Sequence, residues 1–216
     1  MPDRVFNGLL ITAFAVVLAI SGLGAHQPDV WLLENTILLV ALPVLALGWW
    51  RVGLSRTTLV LIFVFLCLHE IGTRYTYSEV PYDSWFQRLT GRSLNAMLGW
   101  ERNHYDRLVH FFYGLLITSP VRHTLMVAAG LRGVWSYLLP LAVMVSTSTA
   151  YELIEWAAAL LFGGDLGMAY LGTQGDVWDA HKDTALASLG AVLALAFTWV
   201  AGSITLPRSA APRRLP

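Results

Sequence analysis

Charge, lysine and cysteine are all scarce in this chain. Only 13% of its 216 residues are Asp, Glu, Lys or Arg, where a soluble domain carries about 25%. Apolar residues make up 56%, and mean hydropathy is +0.58. Together these values exclude an ordinary water-soluble domain and point to an integral membrane protein. Lys182 is the single lysine among 14 basic residues; the rest are arginine. Formal net charge is zero, so nothing implies a nucleic-acid partner or a polybasic lipid patch. The one cysteine, Cys67, excludes an internal disulfide and says nothing of redox compartment. The chain has no short internal repeat and no HExxH motif, Glu-x-x-Glu (152–155) stands where a bundle metal site would carry Glu-x-x-His, and no Ser or Cys nucleophile stands with a matched base.

What is present is a series of long apolar runs. A helix needs about 20 apolar residues to cross a bilayer. Runs near 5–24, 30–50, 57–72, 134–162 and 184–206 approach that length. A further one, 108–130, is interrupted by "TSPVRH" (118–123). Its span is expected to begin near Asn103 and end about Thr118, at 103–118, leaving 125–131 as a short interfacial piece. The fold class is therefore all-α: a polytopic transmembrane helix bundle of about six spans. It forms a single integral membrane domain over 1–206, and the basic tail "PRSAAPRRLP" (207–216) is expected to be disordered. The first span follows Arg4 and is long for a signal peptide, so an uncleaved helix is expected.

Arginine distribution sets the orientation. Connector one (25–29) has no Arg or Lys, while connector two has Arg51 and Arg56, and connector four has Arg122 and Arg132. The tail has Arg208, Arg213 and Arg214. Connector five (163–183) has only Lys182, with Asp165, Asp176, Asp179 and Asp183. Even connectors and both termini should face the cytoplasm, and odd connectors should face outward. Connector three is the misfit, with five arginines against Glu79, Asp83, Glu101 and Asp106.

On that map four polar blocks reach one depth. They are "HEIGTRYTYSEVPYDSWF" (69–86), "ERNHYDRLVHFFYG" (101–114), "YELIEW" (151–156) and "QGDVWDAHKD" (174–183). Asp106 and His110 are i,i+4; Glu152 and Glu155 are i,i+3; Asp176, Asp179 and Asp183 follow i, i+3, i+7. Ionisable groups inside a membrane are costly and face the bundle interior. The expected catalytic groups are His110, Glu155, Glu152 and Asp106. Arg74, Arg107, His69, Glu70 and His104 are expected to bind a ligand, with Arg74 and Arg107 holding an anionic head group. Asp179, Asp183 and Asp176 are the candidate metal ligands. Histidine with carboxylates suits a divalent transition metal such as zinc, manganese or iron.

Each group has a plainer reading beside it. Asp176 and Asp179 could only cap a helix N-terminus. Glu152 and Glu155 could pair with Arg107 or Arg74, and His110 could be a hydrogen-bonded core histidine. Lys182 and His181 fall off the aspartate stripe, and Glu34 is a lone acid within the second span. The tyrosine-rich part of 69–86 reads as an interfacial belt or as a lid.

The four blocks resemble the signature blocks of the YjdF-type family of bacterial inner-membrane proteins, from about His69 to Leu195. That resemblance implies an inner-membrane protein and no particular activity. A second, weaker pattern is similar to the VanZ-like membrane proteins: Asp106, Arg107, His110 and Phe111, then Glu152 or Glu155, then Gln174, Asp179, Asp183 and Gly190. It implies an envelope-facing role near lipid or cell-wall precursors. Two functional readings stay open. One is an enzyme acting on a lipid or lipid-linked group at the outer leaflet, without a covalent intermediate. The other is a non-catalytic ligand-binding, transport or structural membrane protein whose polar cluster is a buried salt-bridge network.

Overall fold

A computed structural model describes residues 3–205 of the chain. The tail expected at 207–216 lies outside the described residues. Ten helical segments follow in order: α1 Asp3–Leu23, α2 Pro28–Asn35, α3 Leu38–Val52, α4 Arg56–Arg74, α5 Tyr82–Thr90, α6 Leu94–Leu98, α7 Tyr105–Ala128, α8 Trp135–Phe162, α9 Gly164–Leu171 and α10 Asp179–Thr205. The all-α polytopic bundle is what the apolar runs call for. Five stretches are long and apolar enough to cross a membrane: Asp3–Leu23, Pro28–Val52, Arg56–Arg74, Trp135–Phe162 and Asp179–Ala201. Their outer faces leave large apolar side chains uncovered, with Leu39 75%, Trp50 76% and Leu161 82% exposed. Such a surface is stable against hydrocarbon and not against water.

Two boundaries differ from the sequence expectation. The span expected to end near Thr118 runs on as one helix to Ala128, straight through Pro120, so 125–131 does not begin a separate interfacial piece. Proline is tolerated inside such helices when neighbours take up the freed backbone groups. The last turns of α7 are also anchored. Arg122 donates to Ser136 Oγ at 3.3 Å and lies 4.4 Å from the Tyr137 ring centroid, tying α7 to the start of α8. The span expected at 30–50 stands as Pro28–Val52, but it is built of two helices, broken at Thr36 and Ile37. Short-range bonds close the break: Thr36 N–H to Leu33 O and Leu39 N–H to Thr36 O, both 3.1 Å. The side chains of Asn35 and Thr36 donate to the carbonyls of Trp31 and Leu32 at 3.0 and 2.9 Å.

The connectors sort by end. His26 N–H donates to Arg74 O at 2.9 Å, and Asn103 N–H donates to Gln174 Oε1 at 2.9 Å. Connectors one, three and five therefore share one end of the bundle. Connector three is built, not loose. Asp83 caps α6 by accepting from Ser93 Oγ and Asn95 N–H at 2.9 Å each. Tyr82 OH donates to Asn95 Oδ1 at 2.8 Å and accepts from His104 N–H at 3.0 Å.

The tightest joint is between α7 and α10. A Cβ on Gly114 would stand 1.9 Å from the Ala187 carbonyl oxygen, and one on Gly190 would stand 2.2 Å from the Phe111 carbonyl oxygen. Small residues let membrane helices approach this closely. We predict that Gly114→Ala lowers the stability of the detergent-solubilised protein by about 2 kcal/mol or more. Gly48→Ala, within α3 and facing open space, should cost nothing, because alanine favours helix. Thermal unfolding of the two variants checks this, and equal midpoints would refute the close joint.

Candidate functional site

Two polar layers occupy the end where α7 and α10 begin. The outer layer is a set of charges that neutralise one another. Arg102, just before α7, grips Asp179 with both terminal nitrogens, at 2.7 and 3.1 Å. Such two-point contacts fix orientation as well as adding energy. Arg107 reaches Asp176 Oδ2 at 2.5 Å and Asp179 Oδ1 at 3.1 Å, and Lys182 Nζ donates to Asp176 Oδ2 at 2.5 Å. Arg102 also donates to Thr173 O at 2.9 Å, so the segment before α7 is joined to the segment before α10. The Lys182 ammonium, and then the Trp178 amide, hold the Asp176 carboxyl well below the usual carboxylate range. His104 stacks on Trp100 with ring centroids 4.3 Å apart. Burial, and then the neighbouring Arg107 and Arg102, lower its imidazole from the ordinary histidine value, favouring the uncharged ring.

The inner layer is different in kind. Asp106 and His110 lie one turn apart on α7, and His110 Nε2 is 3.6 Å from Asp106 Oδ1 and 3.4 Å from Glu152 Oε1 of α8. Asp183 stands about 6 Å into α10, at a rise of about 1.5 Å per residue. It is 1% exposed. Its Oδ1 and Glu152 Oε1 are buried without a hydrogen-bond partner. One ligand atom each from Asp106, His110 and Asp183 falls within 4.8 Å of the others. Among the described residues, no Arg or Lys forms an ion pair with Asp106, Glu152 or Asp183.

Beneath this layer lies a cavity of about 480 Å³ between α3, α4, α7 and α8. Its lining is ordered by helix position. Along α7 it passes from Asp106 and His110 to Tyr113 and Ile117; along α4 it passes from His69 to Leu66 and Ile62. One end is thus strongly polar and the rest mainly apolar, with the hydroxyl residues Tyr113, Thr147 and Ser148 set along it. Tyr77 and Tyr151 complete the polar end. His69 Nδ1 and Tyr77 Oη are 2.5 Å apart, and Tyr151 OH donates to Glu34 Oε2 at 2.8 Å. Val40, Val44 and Ile154, at 64%, 63% and 50% exposure, line the same cavity, so it opens on the apolar flank.

Several sequence-derived assignments need correcting. Asp176 is not on the helical stripe, because α10 starts at Asp179. It accepts from the Trp178 amide at 3.0 Å in the turn before the helix. Asp179 is on α10 but is taken by two guanidinium groups, so of the three aspartates expected to bind metal only Asp183 joins the inner layer. Arg74 points away, donating to Ile20 O at 2.6 Å. Glu70 faces α1 and α2: its carboxylate lies near Thr73, and its carbonyl accepts from Ser21, which in turn accepts from Trp31. Glu155 is buried on α8, i,i+4 from Tyr151. Lys182, set aside on helical phase, is part of the outer layer. Arg102 was missed: it precedes the helix, and no periodicity marks it. Glu34 finds its partner in Tyr151, a pairing across 117 residues that spacing cannot reveal.

Residues 6–203 match the family described as "Predicted membrane protein (DUF2238)". The chain is also 35% identical over 199 residues to the Inner membrane protein YjdF of Escherichia coli (strain K12), covering 90% of this chain and 91% of that protein. The chain belongs to the YjdF family. The four polar blocks are therefore read in the setting of an inner-membrane, multi-pass family, and the similarity to VanZ-like proteins rests on its residue pattern alone. No solved structure matches this chain.

The depressed Asp176 carboxyl has a sign that can be measured. Its folded-state pKa lies below the ordinary 3.8. The ion-pair stability is then fully present above that ordinary value and is lost as pH falls through the folded one. We predict that wild type exceeds Asp176→Asn in stability by a constant margin above about pH 5, shrinking below about pH 4. Unfolding midpoints of both proteins across that range test it, and a margin that grows in acid would refute it.

Proposed function

We propose that this YjdF-family protein binds the polar–apolar junction of a membrane lipid or lipid-linked envelope precursor and acts on it at the inner layer. The observation that carries this reading is the cavity. Its apolar length opens on the flank where hydrocarbon would lie, and its polar end presents Asp106, His110, His69, Tyr77 and Tyr151. A volume of about 480 Å³ falls within the usual range for small-molecule sites, about 300–1,000 Å³. A chain could enter sideways while its head group meets Asp106 and the imidazoles of His69 and His110.

Two roles divide the charged residues. The outer layer supports the salt-bridge reading, because its charges meet one another and fix the two connectors. The inner layer supports a chemical role, because buried carboxylates without cations are expensive in a membrane and are not explained by packing. His110 lines the cavity, with Glu152 Oε1 3.4 Å from its Nε2, so the imidazole is the group placed to exchange a proton with a bound head group. Orientation follows from the connectors. The end opposite the site carries Arg51, Arg56, Arg122 and Arg132, while the five arginines of connector three at the site end stand among Glu79, Asp83, Glu101 and Asp106, so by the positive-inside tendency we read the site as facing outward and both termini as facing the cytoplasm.

The test is lipid capture by the full chain in native-like bilayers. A phospholipid probe with a photoreactive group on its acyl chain should label peptides of α3, α4, α7 and α8. Ala41→Trp and Ala150→Trp, which fill the cavity from its wall, should each cut that labelling by about tenfold or more, equivalent to about 1.4 kcal/mol. Labelling spread evenly over the lipid-facing surface, unchanged by either variant, would refute the reading.

A further inference from the structure

The inner layer carries a second conclusion that does not rest on the lipid reading. We propose that Asp106, His110 and Asp183 hold a first-row divalent transition-metal ion, with Glu152 beside its open position.

The first support is spacing. The three donor atoms lie within 4.8 Å of one another. His110 Nε2 is 3.6 Å from Asp106 Oδ1 and 3.4 Å from Glu152 Oε1. Both are longer than an ordinary N–H···O bond of about 2.9 Å. Two ligands bound at about 2.0–2.1 Å to one tetrahedral ion stand about 3.3 Å apart. The His110–Asp106 pair is thus separated as co-ligands are, rather than as hydrogen-bond partners are, and Glu152 stands beside the imidazole outside the three-residue set.

The second support is independent of spacing. Asp183 is 1% exposed, yet its Oδ1 has no hydrogen-bond partner, and Glu152 Oε1 is likewise buried and unpartnered. A buried carboxylate oxygen left without a donor is costly. The nearby cations do not relieve it, since Arg102, Arg107 and Lys182 are engaged by Asp176 and Asp179. Around this point α7 offers Asp106 and His110, α8 offers Glu152 and α10 offers Asp183. All three helices bring acid or imidazole, and none brings an ammonium or guanidinium in ion-pair contact, among the described residues. A cation is the missing partner for that arrangement.

One imidazole with two carboxylates suits zinc or manganese better than calcium or magnesium, which take oxygen ligands. Three protein ligands also leave one position for water, the pattern of catalytic rather than structural sites. Glu152, near His110 but outside the three-residue set, is placed to accept a proton from that water, leaving a hydroxide on the ion. Asp106 and His110 also line the cavity, so an ion held there would border it.

The experiment is metal analysis of the full chain, purified in mild detergent and dialysed separately against Zn²⁺ and Mn²⁺. About one ion per chain is expected. Asp183→Asn and His110→Gln should each lower it at least about tenfold. Glu70→Gln, a buried carboxylate outside the site, should retain it, and so should Glu152→Gln. Wild type without bound ion under both conditions, or loading unchanged in Asp183→Asn and His110→Gln, overturns the proposal. Should the variants fail to fold, X-ray absorption on wild type decides. A single imidazole among oxygen ligands supports the site, and a sulfur ligand or no imidazole overturns it. The two readings fail separately: an ion without lipid labelling overturns only the lipid reading, and lipid labelling without an ion overturns only this one.

Discussion

The contact of α7 with α10 at Gly114 and Gly190 decides where the charges that these two helices bring to the site can stand. Each glycine lies against the backbone of the other helix, so the two axes are held at a distance no larger residue permits. From that joint both helices run in parallel toward the same end. Asp106 and His110 come to one side of α7 and Asp183 comes to the facing side of α10. One turn nearer the surface, Asp179 arrives where Arg102 and Arg107 can reach it. The site is therefore a consequence of close helix packing, and the packing relies on residues that carry no chemistry of their own. In a membrane, where burial of apolar surface does not drive helix association, such close contact is a main source of cohesion.

The same joint separates two kinds of polar group that the sequence runs together. "QGDVWDAHKD" (174–183) contains both. Asp176, Asp179 and Lys182 belong to a layer in which guanidinium, ammonium and carboxylate groups meet directly. That layer clamps the segment before α7 to the segment before α10. Asp183, a single turn deeper than Asp179, belongs to a layer that has acids and one imidazole only. A salt bridge in the mouth needs no further explanation. An acid set beneath it, shielded from those cations by their own partners, does. Function is sought where neutralisation is incomplete.

Much of this architecture was legible. Hydropathy delimits the spans of α1, α4, α8 and α10 within a few residues, because lipid demands continuous apolar helix. The placing of four polar blocks at one end also followed, since connector parity alone brings them there. What escaped was decided by contacts distant in sequence. Pro120 and the polar run around it suggested a helix end, but the hold of Arg122 on Ser136 and Tyr137 carries α7 through. The i, i+3, i+7 spacing of the aspartates suggested one stripe, but α10 begins only at Asp179. Adjacent residues also parted company: His69 turns toward Tyr77 and the cavity, while Glu70 turns toward α1 and α2, as neighbours about 100° apart on a helix must. Arg102 had no helical phase to betray it.

The break at Thr36 and Ile37 links these features to the cavity. Irregular backbone at membrane depth is tolerated where it is buried or lines a space within the protein. Here Ile37 and Leu38, at the break, form part of the cavity wall. Glu34, the last acid before it, accepts from Tyr151, whose ring lies on the same wall. A continuous helix over 30–50 would keep one axis throughout. Ending α2 at Asn35 and restarting at Leu38 lets α2 pack near α9 through Val30 and Tyr170, while Leu38 packs with Ile62 and Leu66 of α4. The cavity then lies beside α3, where Val40 and Val44 remain exposed. The lone acid of the second span thus stands where that span changes course, bonded to the tyrosine that joins the break to the polar end of the cavity.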